Sequence, residues 1–194
     1  MIPIRFSLSA SVLAGALALG ACGSETPATP PETAESGDGT LAMADPVAPA
    51  IATASLKTAD GRDAGTVTAT EREGGILIAV SATGIAPGEH GIHVHMTGTC
   101  DGPKFETAGG HWNPMGAKHG LSNPQGSHHG DMPNLTIASD GSGKMDYTVK
   151  EATLAEMLDA DGAALVIHAK ADDQMTDPSG DSGDRIACGV FGRG

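Results

Sequence analysis

Eight short runs of alternating side chains, punctuated by glycine, restrict the folds open to this chain more than any other feature. The runs are Ala52–Lys57, Thr66–Glu71, Ile76–Ser81, Gly91–Met96, Leu135–Ala138, Met145–Val149, Ala164–His168 and Arg185–Phe191. Between them sit turn-forming pieces such as Asp60-Gly61, Glu73-Gly74-Gly75, Pro87-Gly88 and Asp140-Gly141-Ser142-Gly143. A strand turns successive side chains to opposite faces, so alternation over four to eight residues marks a half-buried strand. Many such strands at close spacing predict an all-β antiparallel sandwich or barrel. Helical periodicity is weak, and Thr153–Leu158 is compatible with one helical turn or a strand. Two stretches break the rhythm: Thr97–Pro133 and Lys170–Asp184. Long loops in a compact domain are usually functional or disordered. The first carries four of the eight histidines, which favours function.

The N-terminal part follows other rules. Met1–Arg5 bears one positive charge, and Phe6–Leu19 is an uncharged apolar run of 14 residues. That is long enough for the core of a secretion signal and too short to span a bilayer as a stable helix. It ends in Leu19-Gly20-Ala21-Cys22, which resembles the bacterial lipobox, where cleavage precedes a cysteine that is then lipidated. The alternative is an ordinary cleaved signal with an incidental cysteine. Residues 1–21 are therefore expected to be a lipoprotein signal. Residues 22–50, with five prolines, five acidic residues and no lysine or arginine, are expected to be a disordered tether. Gly23 is not the aspartate associated with inner-membrane retention, so the expectation is an exported, envelope-anchored protein, with the outer membrane favoured. Of three cysteines, lipidation of Cys22 leaves Cys100 and Cys188 as one pair, and export permits a disulfide between them.

The domain is expected to fill residues 51–194, with 10 basic and 19 acidic side chains and a net charge of −9. Such a surface argues against nucleic acid or anionic lipid as its partner.

Histidines point to the chemistry. In His93-Val94-His95 the two imidazoles project to one face of a strand while Val94 faces the other. His111, His119, His128 and Asp131 lie in the long loop, and His168 ends an apolar run. Four imidazoles in a flattened arrangement suit Cu(II), whereas three imidazoles and a carboxylate suit tetrahedral zinc. Seven donors make two such sites if one histidine is shared.

These residues also carry a resemblance. Gly88-Glu89-His90-Gly91-Ile92-His93-Val94-His95 resembles the copper-binding strand of the copper/zinc superoxide dismutases. Gly110-His111-Trp112-Asn113-Pro114, Lys118-His119-Gly120 and His128-His129-Gly130-Asp131 resemble the zinc loop of that family. Val166-Ile167-His168 and Gly183-Asp184-Arg185-Ile186-Ala187-Cys188-Gly189-Val190 resemble its last copper strand and C-terminal signature. The likeness covers Ile51–Phe191 and is nearest to the bacterial branch.

The resemblance implies an eight-stranded antiparallel Greek-key β-barrel or sandwich with two long functional loops. It implies an enzyme that disproportionates superoxide to dioxygen and hydrogen peroxide, as a monomer or homodimer, with one copper and one zinc per subunit. His93, His95, His111 and His168 become copper ligands. His111, His119, His128 and Asp131 become zinc ligands, with His111 bridging and serving in proton transfer. Asp172 matches a carboxylate linking His93 to His119, and Arg185 matches an anion-guiding arginine. His90 takes a packing position. His129 competes with His128 for zinc, but Gly130-Asp131 sets the register in favour of His128. The loop before Arg185 has five aspartates against Lys170 alone, so loop lysines are poor candidates for steering, and Lys118 is a candidate substitute.

Overall fold

The structure is a computed structural model that describes residues 50–193. The expected signal and Cys22 lie outside the described residues, as does the tether up to residue 49. Among the described residues no helix is long and apolar enough to cross a membrane.

The strands are β1 (Ile51–Thr58), β2 (Asp63–Arg72), β3 (Gly75–Ala82), β4 (Gly88–His90), β5 (Ile92–His95), β6 (Leu135–Ile137), β7 (Gly143–Lys150), β8 (Ala164–His168), β9 (Arg185–Val190) and β10 (Gly192–Arg193). All named strand pairs are antiparallel. One sheet runs β5-β8-β9-β1-β2-β3-β7, with β10 added beside β1, and β4 pairs with β6 separately. Because β4 leads into β5 and β6 lies against β7, the small sheet links the two edges of the large one, and the whole curls into a barrel. Each of the eight runs read from the sequence contains a strand. The additions are β4, which lies just before the run Gly91–Met96, and β10.

Gly91 separates β4 from β5 because the chain changes partners there. Its N–H donates to Lys170 O at 2.8 Å and its carbonyl accepts from His168 N at 2.8 Å. A Cβ on Gly91 would stand 2.8 Å from Ser182 Cβ, so only glycine lets the 169–184 loop pack this closely.

Alternation fills the core. Ala52, Ala54 and Leu56 of β1, Val67 and Ala69 of β2, and Ile76, Ile78 and Val80 of β3 point inward. Strand β8 is buried along its whole length. Leu165 and Ile167 enter the barrel core, while Ala164 and Val166 meet Phe105, Ala108 and Cys188 on the outside. That second apolar cluster holds the long loop against the barrel wall, and it explains why β8 reads as a continuous apolar run. The ambiguous 153–158 stretch is helical at Leu154–Met157 (α1). Thr153 caps it by accepting from Glu156 N while its own N–H donates to the Glu156 carboxylate, and Leu154 and Met157 are buried.

Candidate metal centre

Strand β5 sets the site. Ile92 and Val94 face the core, so His93 and His95 must face outward, yet both are fully buried because two loops cover them. The long loop returns along β5 as extra sheet. His93 lies opposite Asp131 and His95 opposite His111. Val94 N–H donates to Gly130 O at 2.9 Å, and Trp112 N–H to Val94 O at 2.8 Å. Next to β5, β8 ends at His168, which pairs with Arg185 of β9 across a register shift after Ile167. Segments far apart in the chain thus deliver their histidines to one spot on the barrel wall.

The hydrogen bonds fix the tautomers. His93 Nε2 lies 2.6 Å from Asp172 Oδ2, His95 Nδ1 3.0 Å from Gly109 O, and His168 Nδ1 3.2 Å from Gly183 O. Carboxylate and carbonyl oxygens only accept, so each of these ring nitrogens donates. In a neutral imidazole the other nitrogen then carries the lone pair. Those nitrogens, His93 Nδ1, His95 Nε2 and His168 Nε2, together with His111 Nε2, are buried without a hydrogen-bond partner. Unpartnered buried polar atoms are costly and call for an explanation. One ligand atom from each of His93, His95, His111 and His168 falls within 4.8 Å of the others, so a metal ion accounts for all four.

A second cage lies on the other side of the His111 ring. Asp131 Oδ1 is 3.0 Å from His111 Nδ1, 3.0 Å from His119 Nδ1 and 3.3 Å from His128 Nδ1. His128 Nδ1 is 3.4 Å from His111 Nδ1. Donors on a tetrahedral zinc with bonds of about 2.0–2.1 Å stand about 3.3 Å apart, so the cage has the size of a zinc site. On this side the group whose ligand atoms all lie within 4.8 Å of one another is His93 with His111, His119 and Asp131, without His128. His93 is the poorer fourth member, since its Nε2 is held by Asp172 and its Nδ1 belongs with the first set. Four imidazoles in one set, and three with a carboxylate in the other, fit copper and zinc.

Outer contacts hold the donors in place. Asp172 reaches His93 and, at 3.1 Å, His119 Nε2. A Cβ at Gly180, where φ is +62°, would stand 1.8 Å from Asp172 Oδ1, so the carboxylate occupies space that only glycine leaves. Asn134 grips the Asp172 backbone at both ends, donating to its carbonyl at 2.8 Å and accepting from its N–H at 2.7 Å. Asp131 Oδ2 accepts from Gly120 N and His128 N at 2.8 and 3.0 Å.

Protonation follows from this packing. Burial lowers His93 and His95, lowers His111 to about 4 and lowers His168 to about 3. Burial also opposes charge on His119, but its bonds to Asp131 and Asp172 outweigh that and raise it to about 9. In Asp131 and Asp172 the histidine bonds likewise outweigh burial and hold both carboxyls well below the usual range. Above pH 6.5 the four depressed histidines are neutral both folded and unfolded. Below it the unfolded chain takes up protons that the folded one refuses, so stability falls with pH. The contribution of His119 has the opposite sign, being complete below 6.5 and lost as pH rises through about 9. Metal-free protein should therefore be most stable between pH 6.5 and 8. Below 6.5 stability should fall as pH falls, each ring that stays neutral when folded adding up to one proton to the slope, about 1.4 kcal/mol per pH unit. Denaturant titrations from pH 4 to 9 measure this, and a flat profile between 6.5 and 5 would contradict neutral buried rings.

A cavity of about 520 Å³ opens onto the site, lined by His111, Asn113, His128, His168, Asp177 and Arg185 among others. The Arg185 guanidinium donates from Nη1 to Phe105 O and from Nη2 to Gly109 O, both at 2.7 Å. Gly109 O therefore ties Arg185 to His95. A larger cavity of about 820 Å³ lies against another side of Arg185, between Arg62, Ile85 and Lys104, and none of the seven donors of the two sets lines it.

The sequence-derived residues converge on this site with one correction. Lys118 does not supply a free guiding charge, because its ammonium pairs with Asp177 at 3.1 Å. His90 turns both ring nitrogens to backbone carbonyls, His168 O and Ala86 O, and stays outside the cages, as its packing role requires. His129 sets its ring edge-on to Trp112, with centroids 5.1 Å apart, and leaves the cage to His128. Cys100 and Cys188 form a disulfide. Sequence reasoning missed Asn134 and the contacts of Asp177. Nothing in the local sequence of either residue signals those contacts.

Comparison with known proteins follows the same line. Residues 63–191 match the family described as copper/zinc superoxide dismutase (SODC). A Cu-Zn superoxide dismutase of Caulobacter vibrioides is 41% identical over 147 residues, spanning 72% of this chain and 84% of the relative. Among solved structures, a SOD-like protein from Bacillus subtilis superposes with a TM-score of 0.68 at 38% identity, covering 71% of this chain and 96% of that one. The Cu/Zn superoxide dismutase from Brucella abortus does so at 0.62 and 32%, covering 72% and 98%.

Proposed function

The chain belongs to the copper/zinc superoxide dismutase family, a family of oxidoreductases, and from that premise we propose that it disproportionates superoxide to dioxygen and hydrogen peroxide. The observation that carries the reading is the ring of four buried, partnerless imidazole nitrogens whose member His111 turns its other nitrogen into a second cage. His93, His95, His111 and His168 would hold copper, and His111, His119, His128 and Asp131 would hold zinc. Bound copper supplies the alternating one-electron chemistry, and zinc, which has no redox chemistry of its own, organises the loop.

The protein's own part is positional and protic. Asp172 and the backbone carbonyls keep each ring in the tautomer that presents its lone pair inward. His111 can hold a proton at Nε2 and release it to the departing product, and solvent in the cavity supplies the second. Arg185, fixed by two carbonyls, presents positive charge where the anion enters. Metal analysis with a superoxide assay on purified protein tests the reading. Two bound metals without dismutation would instead make the chain a metal-holding module, an outcome worth testing because the Bacillus relative is described only as SOD-like.

Arg185→Ile should lower kcat/KM by about 10-fold or more, within the range of electrostatic focusing, for which superoxide dismutases are themselves a standard example. Metal content should not change. Raising ionic strength should slow the parent enzyme, because added salt screens the attraction between Arg185 and the incoming anion. A variant with the parent's rate and salt slope would remove the steering role.

Export and lipid attachment at Cys22 belong to the same proposal. The Cys100–Cys188 disulfide supports it, since Cys22 is then the one cysteine left for another purpose. Cys22→Ser should abolish membrane retention and leave the domain folded. Mass spectrometry of membrane-extracted protein showing an unmodified Cys22 would refute it.

A further inference from the structure

The cavity wall holds one arginine, Arg185, and one acidic residue, Asp177. The Asp177 carboxylate belongs to the 169–184 loop, yet its oxygens reach across to the zinc-ligand loop. Oδ1 accepts from His119 N–H at 2.9 Å and lies 3.9 Å from His128 Nε2, and Oδ2 accepts from Lys118 Nζ at 3.1 Å. Asp172, five residues earlier, grips the same loop through the His119 ring.

We propose that Asp177 is a positioning residue with two opposed effects. It latches the zinc-ligand loop through His119 and His128, and it weakens anion entry by placing negative charge on the wall and neutralising Lys118. This rests on the metal reading above.

The latch follows from geometry. His119 and His128 supply two of the four donors of the second cage, and Asp177 holds the backbone of one and faces the outer nitrogen of the other. Partners of this kind typically change metal affinity 10- to 100-fold. The charge effect follows from position. An anion moving toward Arg185 passes a carboxylate lining the same cavity, and the ammonium beside it is already paired. Lys118 and Asp177 are partly exposed, at 55% and 38%, so the pair is a surface one that adds little stability but still cancels the local field.

Two substitutions separate the effects. Asp177→Asn keeps an oxygen for His119 N–H but removes the negative charge and releases Lys118. Asp177→Ala removes the acceptor as well. The probes are azide, titrated against copper-loaded protein through its charge-transfer band, and zinc release to a chromogenic chelator. Asp177→Asn should bind azide at least about threefold more tightly, with the gain shrinking in high salt. Its zinc release should stay within about twofold of the parent, whereas Asp177→Ala should release zinc about 10-fold faster. Unchanged azide affinity in Asp177→Asn overturns the charge effect. Parent-like zinc release in Asp177→Ala overturns the latch. If Asp177→Ala does not fold, Asp177→Glu replaces it, and parent-like zinc release with the displaced carboxylate overturns the latch equally. A parent protein that binds neither metal fails the metal reading instead, so the two failures are distinct.

Discussion

His168→Ala should abolish dismutation and cost copper more than about 100-fold in affinity, beyond what loss of an outer partner does, while zinc stays bound. His168 offers its lone pair to the first set, its other ring nitrogen is spent on Gly183 O, and it is not a member of the group that holds Asp131 and His119. Asp131→Ala should do the reverse. Its Oδ1 gathers three imidazoles, and its Oδ2 satisfies the Gly120 and His128 N–H groups in a buried place. Removing it leaves two backbone donors stranded, at about 1–3 kcal/mol each, and takes the only carboxylate from the cage. Zinc occupancy should fall and the long loop loosen, with copper retained and dismutation weakened at higher pH. His111→Ala should lower both metals, since its ring serves both sets. Elemental analysis of the three purified variants gives the pattern. Equal loss of both metals from His168→Ala and from Asp131→Ala would contradict two separate sites sharing one ring.

The strand donors His93, His95 and His168 were legible in the sequence because strands have period two. His93 and His95 cannot both face the core while Ile92 and Val94 do, and His168 closes a run that fits only a strand buried on both faces. The loops were legible only as loops, since no local rule sets the path of a chain stretch without periodicity. Between His128 and His129 the geometry favours His128, whose N–H donates to Asp131 and whose Nδ1 lies 3.3 Å from it, while the His129 ring packs on Trp112. Asn134 has no motif, since it matters only because the 169–184 loop folds back onto it. Lys118 read as a free charge for the same reason. Its partner Asp177 lies 59 residues away, and only the meeting of two loops joins them.

Reducing the Cys100–Cys188 disulfide should lower stability by about 2–5 kcal/mol and activity with it. The bond spans 88 residues, a loop whose closure entropy corresponds to about 4–5 kcal/mol in the chain-entropy account. Its local effect concerns function. Cys188 sits in β9 three residues beyond Arg185, inside the cluster of Phe105, Ala108, Ala164 and Val166, with Cys100 packed against it. The segment between Cys100 and His111 provides Phe105 O and Gly109 O, the two acceptors that hold the guanidinium. Without the bond that segment keeps its apolar contacts but loses its covalent fixing to the strand that bears Arg185. The guanidinium should then sample more positions, and His95, which shares Gly109 O, should lose part of its orientation. Cys100→Ser should therefore combine a lower unfolding midpoint with a fall in kcat/KM and weaker copper retention, while zinc is affected less because the second cage has no contact with this segment beyond His111. The comparison that decides is a double variant with Arg185→Ile. If the disulfide acts on turnover through the arginine, its loss should add little to a chain that has already lost Arg185. Full additivity of the two effects on kcat/KM would show that the bond serves stability alone.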